Sequence, residues 1–247
     1  MSKEDPEEIA KFEKMAHEWW NPDGKFKPLH RINPLRTDYI RAKLRQSPRA
    51  RLDGLDILDI GCGGGILSEA LDALDARVTA IDRSETIIGV ARAHQKESGS
   101  RVDYRVQTLE SLAKEKGASY DAVLAMEVLE HVPDVPLFLE ECAALLKPGG
   151  HFFFATLNKT AQAWLLAIVG AEYVLRWLPK GTHDFNKFIR PSELSRWLRH
   201  TGISTRDVTG MHYIPWRDAW ELSNTHANVN YLGYGIRSGE PGNQASS

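Results

Sequence analysis

Apolar runs alternate with stretches of helical spacing from residue 55 onward. The run LDILDI (55–60) sets Ile57, Leu58 and Ile60 around Asp56 and Asp59, which predicts a short strand packed on both faces. Four glycines follow within five residues (Gly61, Gly63, Gly64, Gly65), and then Ile66, Leu67, Ala70, Leu71 and Leu74 recur at helical spacing. The unit is strand, glycine turn, helix. Downstream come strand VTAID, helix TIIGVARAHQKE, strand VDYRVQ, short helix LESLAKE, strand YDAVLAM, helix LFLEECAALL, a turn at 147–150 and strand HFFFATL. This order predicts an α/β fold with a Rossmann-like, doubly wound, mostly parallel sheet and helices on both faces. The last third offers a helix at PSELSRWLRHTG and strand-like runs at STRDVTGMHYI and VNYLGYGI.

Two segments fall outside the alternation. Ile9, Phe12, Met15, Ala16 and Trp19 predict an amphipathic helix over 7–20, ended by the Asn21-Pro22-Asp23-Gly24 turn. A proline- and base-rich stretch, FKPLHRINPLR, leads to a second helix at about 35–46, so residues 1–52 form a helical cap on a single domain of 1–247. Residues 158–190 are too long for an ordinary connection and form an insertion. Its core, AWLLAIVGAEYVLRWLP, is interrupted by Glu172 and Arg176 and is too short and too charged to span a bilayer. Trp164 and Trp177 near its ends, with Arg176 and Lys180, predict contact with a membrane interface; the alternative is a lid packed on the domain.

Composition narrows the partners. With 31 basic and 33 acidic residues and a net charge of -2, nothing points to nucleic acid. Locally, 24–52 carries nine basic residues against Asp38 alone, which reads as a solvated helix surface or as attraction to anionic lipid. Cys62 and Cys142 have no metal or redox spacing, so no disulfide and a reducing compartment are expected. The acidic N-terminus has neither a secretory core nor transit-peptide composition.

The glycine turn discriminates among ligands. A phosphate-binding Walker loop needs Lys and Ser or Thr where Ile66 and Leu67 stand, and a dinucleotide fingerprint needs glycine at Ile66. What remains is an acid two residues before Gly-x-Gly-x-Gly (Asp59, Gly61, Gly63, Gly65) and a second acid, Asp82, closing the next strand. This resembles the S-adenosylmethionine site of Rossmann-like methyltransferases, with Asp82 accepting hydrogen bonds from the ribose hydroxyls. A nicotinamide-dependent oxidoreductase shares the turn and the acid.

Beyond the fourth strand lie Met126, Glu127, Glu130 and His131, where an open α/β sheet places its reaction site. If Glu127 begins a helical turn, Glu130 and His131 stand on its side of that turn, a plausible divalent-metal site suited to magnesium. A catechol acceptor would explain a metal. Without one, His131 is the economical base, and full ligation would deny it that role. His183 and His30 are lesser candidates.

Across KFEKMAHEWW, FKPLHRINPLR, LDIGCGGGILSE, MEVLEHV, LKPGG, TLNKT, VGAEYVLRWLPKGTHD and VNY the chain resembles the ubiquinone-biosynthesis O-methyltransferase family. The resemblance implies a seven-stranded sheet closed by an antiparallel hairpin. It implies methylation of polyprenylated catechols at two steps, an early polyprenyl benzenediol and the final demethylubiquinol. It places cofactor contacts at Arg36, Gly61, Asp82 and Met126, and metal ligands at Glu127, Glu130 and His131. Arg36 makes physical sense as partner of the donor's carboxylate. The implied setting is the bacterial cytoplasm, peripheral on the inner face of the membrane, with other quinone-biosynthesis enzymes as candidate partners. The rival is another small phenolic acceptor, with the insertion as lid.

Overall fold

The structure is a computed structural model that describes residues 18–47, 49–160, 187–214, 217, 219–223 and 229–239. The 7–20 helix and the insertion, with Trp164, Trp177 and His183, therefore lie outside the described residues apart from their ends.

Helix α1 (Lys27–Arg45) precedes the sheet. Then follow β1 (Asp56–Ile60), α2 (Ile66–Asp72), β2 (Arg77–Asp82), α3 (Glu85–Ser98), β3 (Asp103–Val106), α4 (Leu109–Glu115) and β4 (Tyr120–Met126). After a short 3-10 turn (Leu129–His131) come α5 (Val135–Leu145), β5 (Leu146–Leu157), α6 (Pro191–His200), β6 (Ile203–Ile214), β7 (Ala219–Ser223) and β8 (Asn230–Arg237). The strands form one sheet in the order β3-β2-β1-β4-β5-β8-β6-β7. The first five pair in parallel, whereas β8 runs antiparallel to both β5 and β6, and β7 antiparallel to β6. The Rossmann-like expectation is met. The strand count differs: β6 and β8 pair antiparallel as expected, and β7, which lies between them in sequence, adds an eighth strand at the edge of the sheet.

Period-two alternation divides the core into two layers. Leu58, Ile60, Val123, Phe152 and Phe154 face α4, α5 and α6 through Leu112, Leu139, Leu194 and Leu198. Ile57, Val78, Leu124 and Phe153 face α1, α2 and α3 through Ile40, Leu71 and Ile88. Asp59 shares the parity of Ile57, so its carboxylate is carried into the layer under α1 and α2. That placement, on a buried strand next to the point where strand order reverses, prepares the site.

Helix α1 starts eight residues before the expected 35. Pro28 sits in the first turn, where its missing N–H removes no helical bond. Pro34 is interior, and the burial of Ile32, Arg36, Tyr39 and Ile40 along one face carries the helix past it. Much of the basic excess is absorbed internally: Lys43 pairs with Asp207 at 2.8 Å, Arg41 with Asp38 at 2.6 Å, and Arg51 with Asp75.

Candidate active site

The glycine loop after β1 alternates in handedness. Gly61, Gly63 and Gly65 have φ of 64°, 55° and 89°, a region that side-chain-bearing residues seldom enter, so the Gly-x-Gly-x-Gly spacing marks the positions where glycine is required. Space matters too, because a β-carbon at Gly63 would strike the Trp19 ring and one at Gly65 the Tyr104 hydroxyl. The loop is tied to β2 by Cys62 N–H donating to the Ile81 carbonyl at 3.1 Å. Gly63 N–H donates to Asp82 Oδ2 at 3.2 Å, and Ser84 N–H to Asp82 Oδ1 at 3.0 Å. Both oxygens of Asp82 are thereby oriented, and the carboxylate keeps acceptor capacity for a ligand hydroxyl. Burial pushes the Asp82 carboxyl up, and these backbone N–H groups oppose the shift.

Asp59 is buried and accepts a 2.5 Å hydrogen bond from Ser68 Oγ on α2. Burial pushes its carboxyl up to about 6, against the Ser68 bond and the charge of Arg36. Arg36, only 6% exposed, reaches the same cavity from α1 and forms an ion pair with Glu127. Met126 closes β4 and lines the cavity beside Glu127.

Glu127 does not begin a helical turn. Its φ of 54° is left-handed, its N–H donates to the Ala155 carbonyl at 2.9 Å, and the turn starts at Leu129. The expected alignment with Glu130 and His131 on one helical face is therefore absent. Glu130 is buried and accepts from Thr156 Oγ1 at 2.7 Å, with its carboxyl pushed up by burial. Among the described residues no three His, Cys, Asp or Glu side chains stand together as a cation site. In this arrangement Glu127 is directed to Arg36 and Glu130 to Thr156, so the two carboxylates and His131 line one cavity without converging on a point.

A cavity of about 410 Å³ joins these groups. Across the strand order β2-β1-β4-β5 its lining runs from Asp82, Asp59 and Gly63, through Met126 and Glu127 after β4, to Leu157 of β5, with Glu130, His131, Val132 and Phe138 also on the wall. A hollow of about 510 Å³ at the opposite strand ends is lined by Asp56, Asp72, Asp75, Arg77 and Arg101, whose charges pair with one another. It shares no residue with the glycine loop, and we place the chemistry in the first cavity.

Several residues of the site gave no separate signal in the sequence reading. Trp20 Nε1–H donates to the Gly64 carbonyl at 2.9 Å and its ring stacks on His94 at 3.4 Å, while His94 Nδ1 meets Glu69 Oε2 at 3.0 Å. His30 Nε2 holds the Trp19 carbonyl at 2.8 Å, a structural role for that candidate. The Trp19-Trp20 pair after an apolar helical stripe was the available clue. Ser68, nine residues past Asp59, and Thr156, at the end of β5, become partners only through the fold.

Residues 58–154 match the methyltransferase domain family. A ubiquinone biosynthesis O-methyltransferase of Xanthomonas axonopodis pv. citri (strain 306) is 51% identical over 230 residues, covering 93% of each chain. One from Xylella fastidiosa (strain 9a5c) is 52% identical over 229 residues, covering 93% of this chain and 90% of the relative. The chain belongs to the ubiquinone biosynthesis O-methyltransferase family. It is an enzyme of methyl transfer, and the oxidoreductase alternative falls away. Among solved structures, magnesium protoporphyrin IX methyltransferase of Synechocystis PCC 6803 with bound SAH superposes with a TM-score of 0.66, at 22% identity over 94% of this chain and all of that one. A methyltransferase of Thermotoga maritima described as a possible histamine N-methyltransferase gives 0.62 at 20% identity, over 93% of this chain and 99% of that one. Both carry the fold. No helix among the described residues is long and apolar enough to cross a membrane.

Proposed function

We propose that this family member transfers the methyl group of S-adenosylmethionine to a catechol hydroxyl of a polyprenylated ring, at the early benzenediol and the final demethylubiquinol steps of ubiquinone biosynthesis. The observation that carries the reading is the two-ended cavity. Its glycine-floored end sets the carboxylates of Asp59 and Asp82 with the buried guanidinium of Arg36, a charge pattern suited to a ligand with a sulfonium, an ammonium and one carboxylate. Asp82 receives the ribose hydroxyls. The far end turns apolar at Val132, Phe138 and Leu157, and Leu157 leads directly into the 158–190 insertion.

When bound, S-adenosylmethionine supplies an electrophilic methyl on sulfur, and in-line displacement leaves the bonding pair on that sulfur. The chain has three tasks. The glycine loop and Asp82 fix the donor, the Met126–Glu127 bend holds the two ligands in register, and His131 takes the hydroxyl proton as the oxygen attacks. Imidazole is the side chain whose ordinary range suits it to accept a proton near neutral pH. The Thr156-held Glu130 beside it favours the protonated imidazole that results.

The test is methyl transfer from labelled S-adenosylmethionine to a short-tailed demethylubiquinol. Methylation that His131→Gln lowers by about a hundredfold or more, with donor affinity unchanged, supports the reading. Methylation of unprenylated phenols with equal efficiency favours the small-acceptor alternative. Chelation followed by magnesium in the same assay tests the cation dependence that a catechol would suit. The peripheral setting on the cytoplasmic face rests on Trp164, Trp177, Arg176 and Lys180; liposome flotation of the double tryptophan variant examines it, and retention on vesicles equal to wild type would remove it.

A further inference from the structure

Among the described residues three besides glycine have positive φ: Gln46, Asp75 and Glu127. Gln46 caps α1, and Asp75 lies in the turn after α2, places where the left-handed region is common. Glu127 instead follows a buried strand inside the reaction cavity. Its backbone is held there by the bond to the Ala155 carbonyl, and its side chain ends on Arg36. Arg36 is buried beside Asp59, within the cavity whose floor is the glycine loop. A guanidinium so placed is the natural partner for an amino-acid carboxylate, because its planar fork matches two oxygens at once. The carboxylate that meets that fork in this structure is the protein's own, from Glu127.

We propose that Glu127 is an internal stand-in for the donor's carboxylate, and that donor binding exchanges one carboxylate for the other on Arg36. The inference rests on the donor-site reading given above. The exchange does two things. It keeps a buried guanidinium charge-compensated while the cavity is empty, a state that would otherwise be costly. It also releases the Glu127 side chain, 31% exposed and therefore with room to turn, toward the end of the cavity that holds Glu130 and His131. The acceptor end then carries its second carboxylate only when the donor is in place. Glu127 acts through Arg36 and is a positioning residue.

Competition of this kind has a ligand-specific signature. If Glu127 occupies Arg36 about nine-tenths of the time, the apparent donor affinity is lowered about tenfold, and only for ligands that need Arg36. Calorimetry on the full chain with S-adenosylmethionine and with its decarboxylated analogue, for wild type and Glu127→Gln, reads that signature. The expected result is about tenfold tighter binding of S-adenosylmethionine by the variant, with the analogue's affinity unchanged or weaker. Should the glutamine variant fail to fold, Glu127→Asp, which draws the carboxylate back by one methylene, is read the same way. Equal changes for both ligands, or weaker S-adenosylmethionine binding in the variant, overturn the exchange alone. A wild-type chain that binds neither ligand overturns the donor site and the exchange together.

Discussion

Replacing Asp59 with asparagine should stabilise the ligand-free chain, and by more as pH rises. Burial raises the Asp59 carboxyl from 3.8 to about 6. A raised carboxylate pKa means that the unfolded chain gives up its proton first, so wild-type stability falls as pH climbs through that window and is level above it. The full shift corresponds to about 3 kcal/mol, of which about 2 kcal/mol accrues between pH ~4.5 and ~7.5. Asparagine keeps the shape, and its Oδ1 can still accept the Ser68 hydroxyl, so the variant removes the charge while leaving the packing in place. Urea titrations of both proteins across this pH range, with m-values checked for constancy, give the difference directly. A stability difference that stays flat with pH would refute the assignment of the cost to a buried charge. The same variant should bind the donor more weakly, since the carboxylate that destabilises the empty fold attracts a cationic ligand; the site exchanges stability for affinity.

Other perturbations separate the remaining parts of the site. Asp82→Ala removes the acceptor for Gly63 and Ser84 N–H and should weaken donor binding by at least about tenfold in calorimetry; wild-type affinity would remove the ribose role. Thr156→Val leaves the buried Glu130 carboxylate without its hydroxyl donor and should lower stability by about 1–3 kcal/mol at neutral pH, which an unmoved urea midpoint would contradict. Trp20→Phe keeps the ring over His94 but loses the bond to the Gly64 carbonyl, so donor release followed by stopped-flow fluorescence should quicken severalfold; an unchanged rate argues against a strap on the loop.

Most helices and strands from Asp56 to Leu157 were legible because each is a local pattern, the glycine turn after β1 above all, whereas the turn expected at 147–150 lies inside β5 (Leu146–Leu157). The donor side was legible for the same reason, since three alternate glycines and two strand-terminal acids lie within 24 residues of one another. What escaped depended on tertiary contact. Strand β7 is half-exposed along its whole length and shows no alternation to read. The start of α1 was hidden by two prolines whose cost is offset by burial. The bend at Glu127 was mistaken for the beginning of a helix because the residue's partner, Arg36, is 91 positions away, and nothing in EVLEH announces a left-handed residue.

The sheet's order has a consequence for how the chain is assembled. Among the described residues strand β8 is the last strand to be made, yet it fills the slot between β5 and β6 and pairs with residues 151–157 of β5. Until residues 230–237 leave the ribosome, the edge of β5 is an open template, with Phe152 and Phe154 deprived of the Tyr231 ring that packs on the same face. The nascent chain can build its parallel half early, but it must hold that aromatic edge unpaired through the synthesis of some seventy further residues. Aggregation during expression should therefore start at β5 and respond to whatever delays β8, even for variants whose donor site is intact.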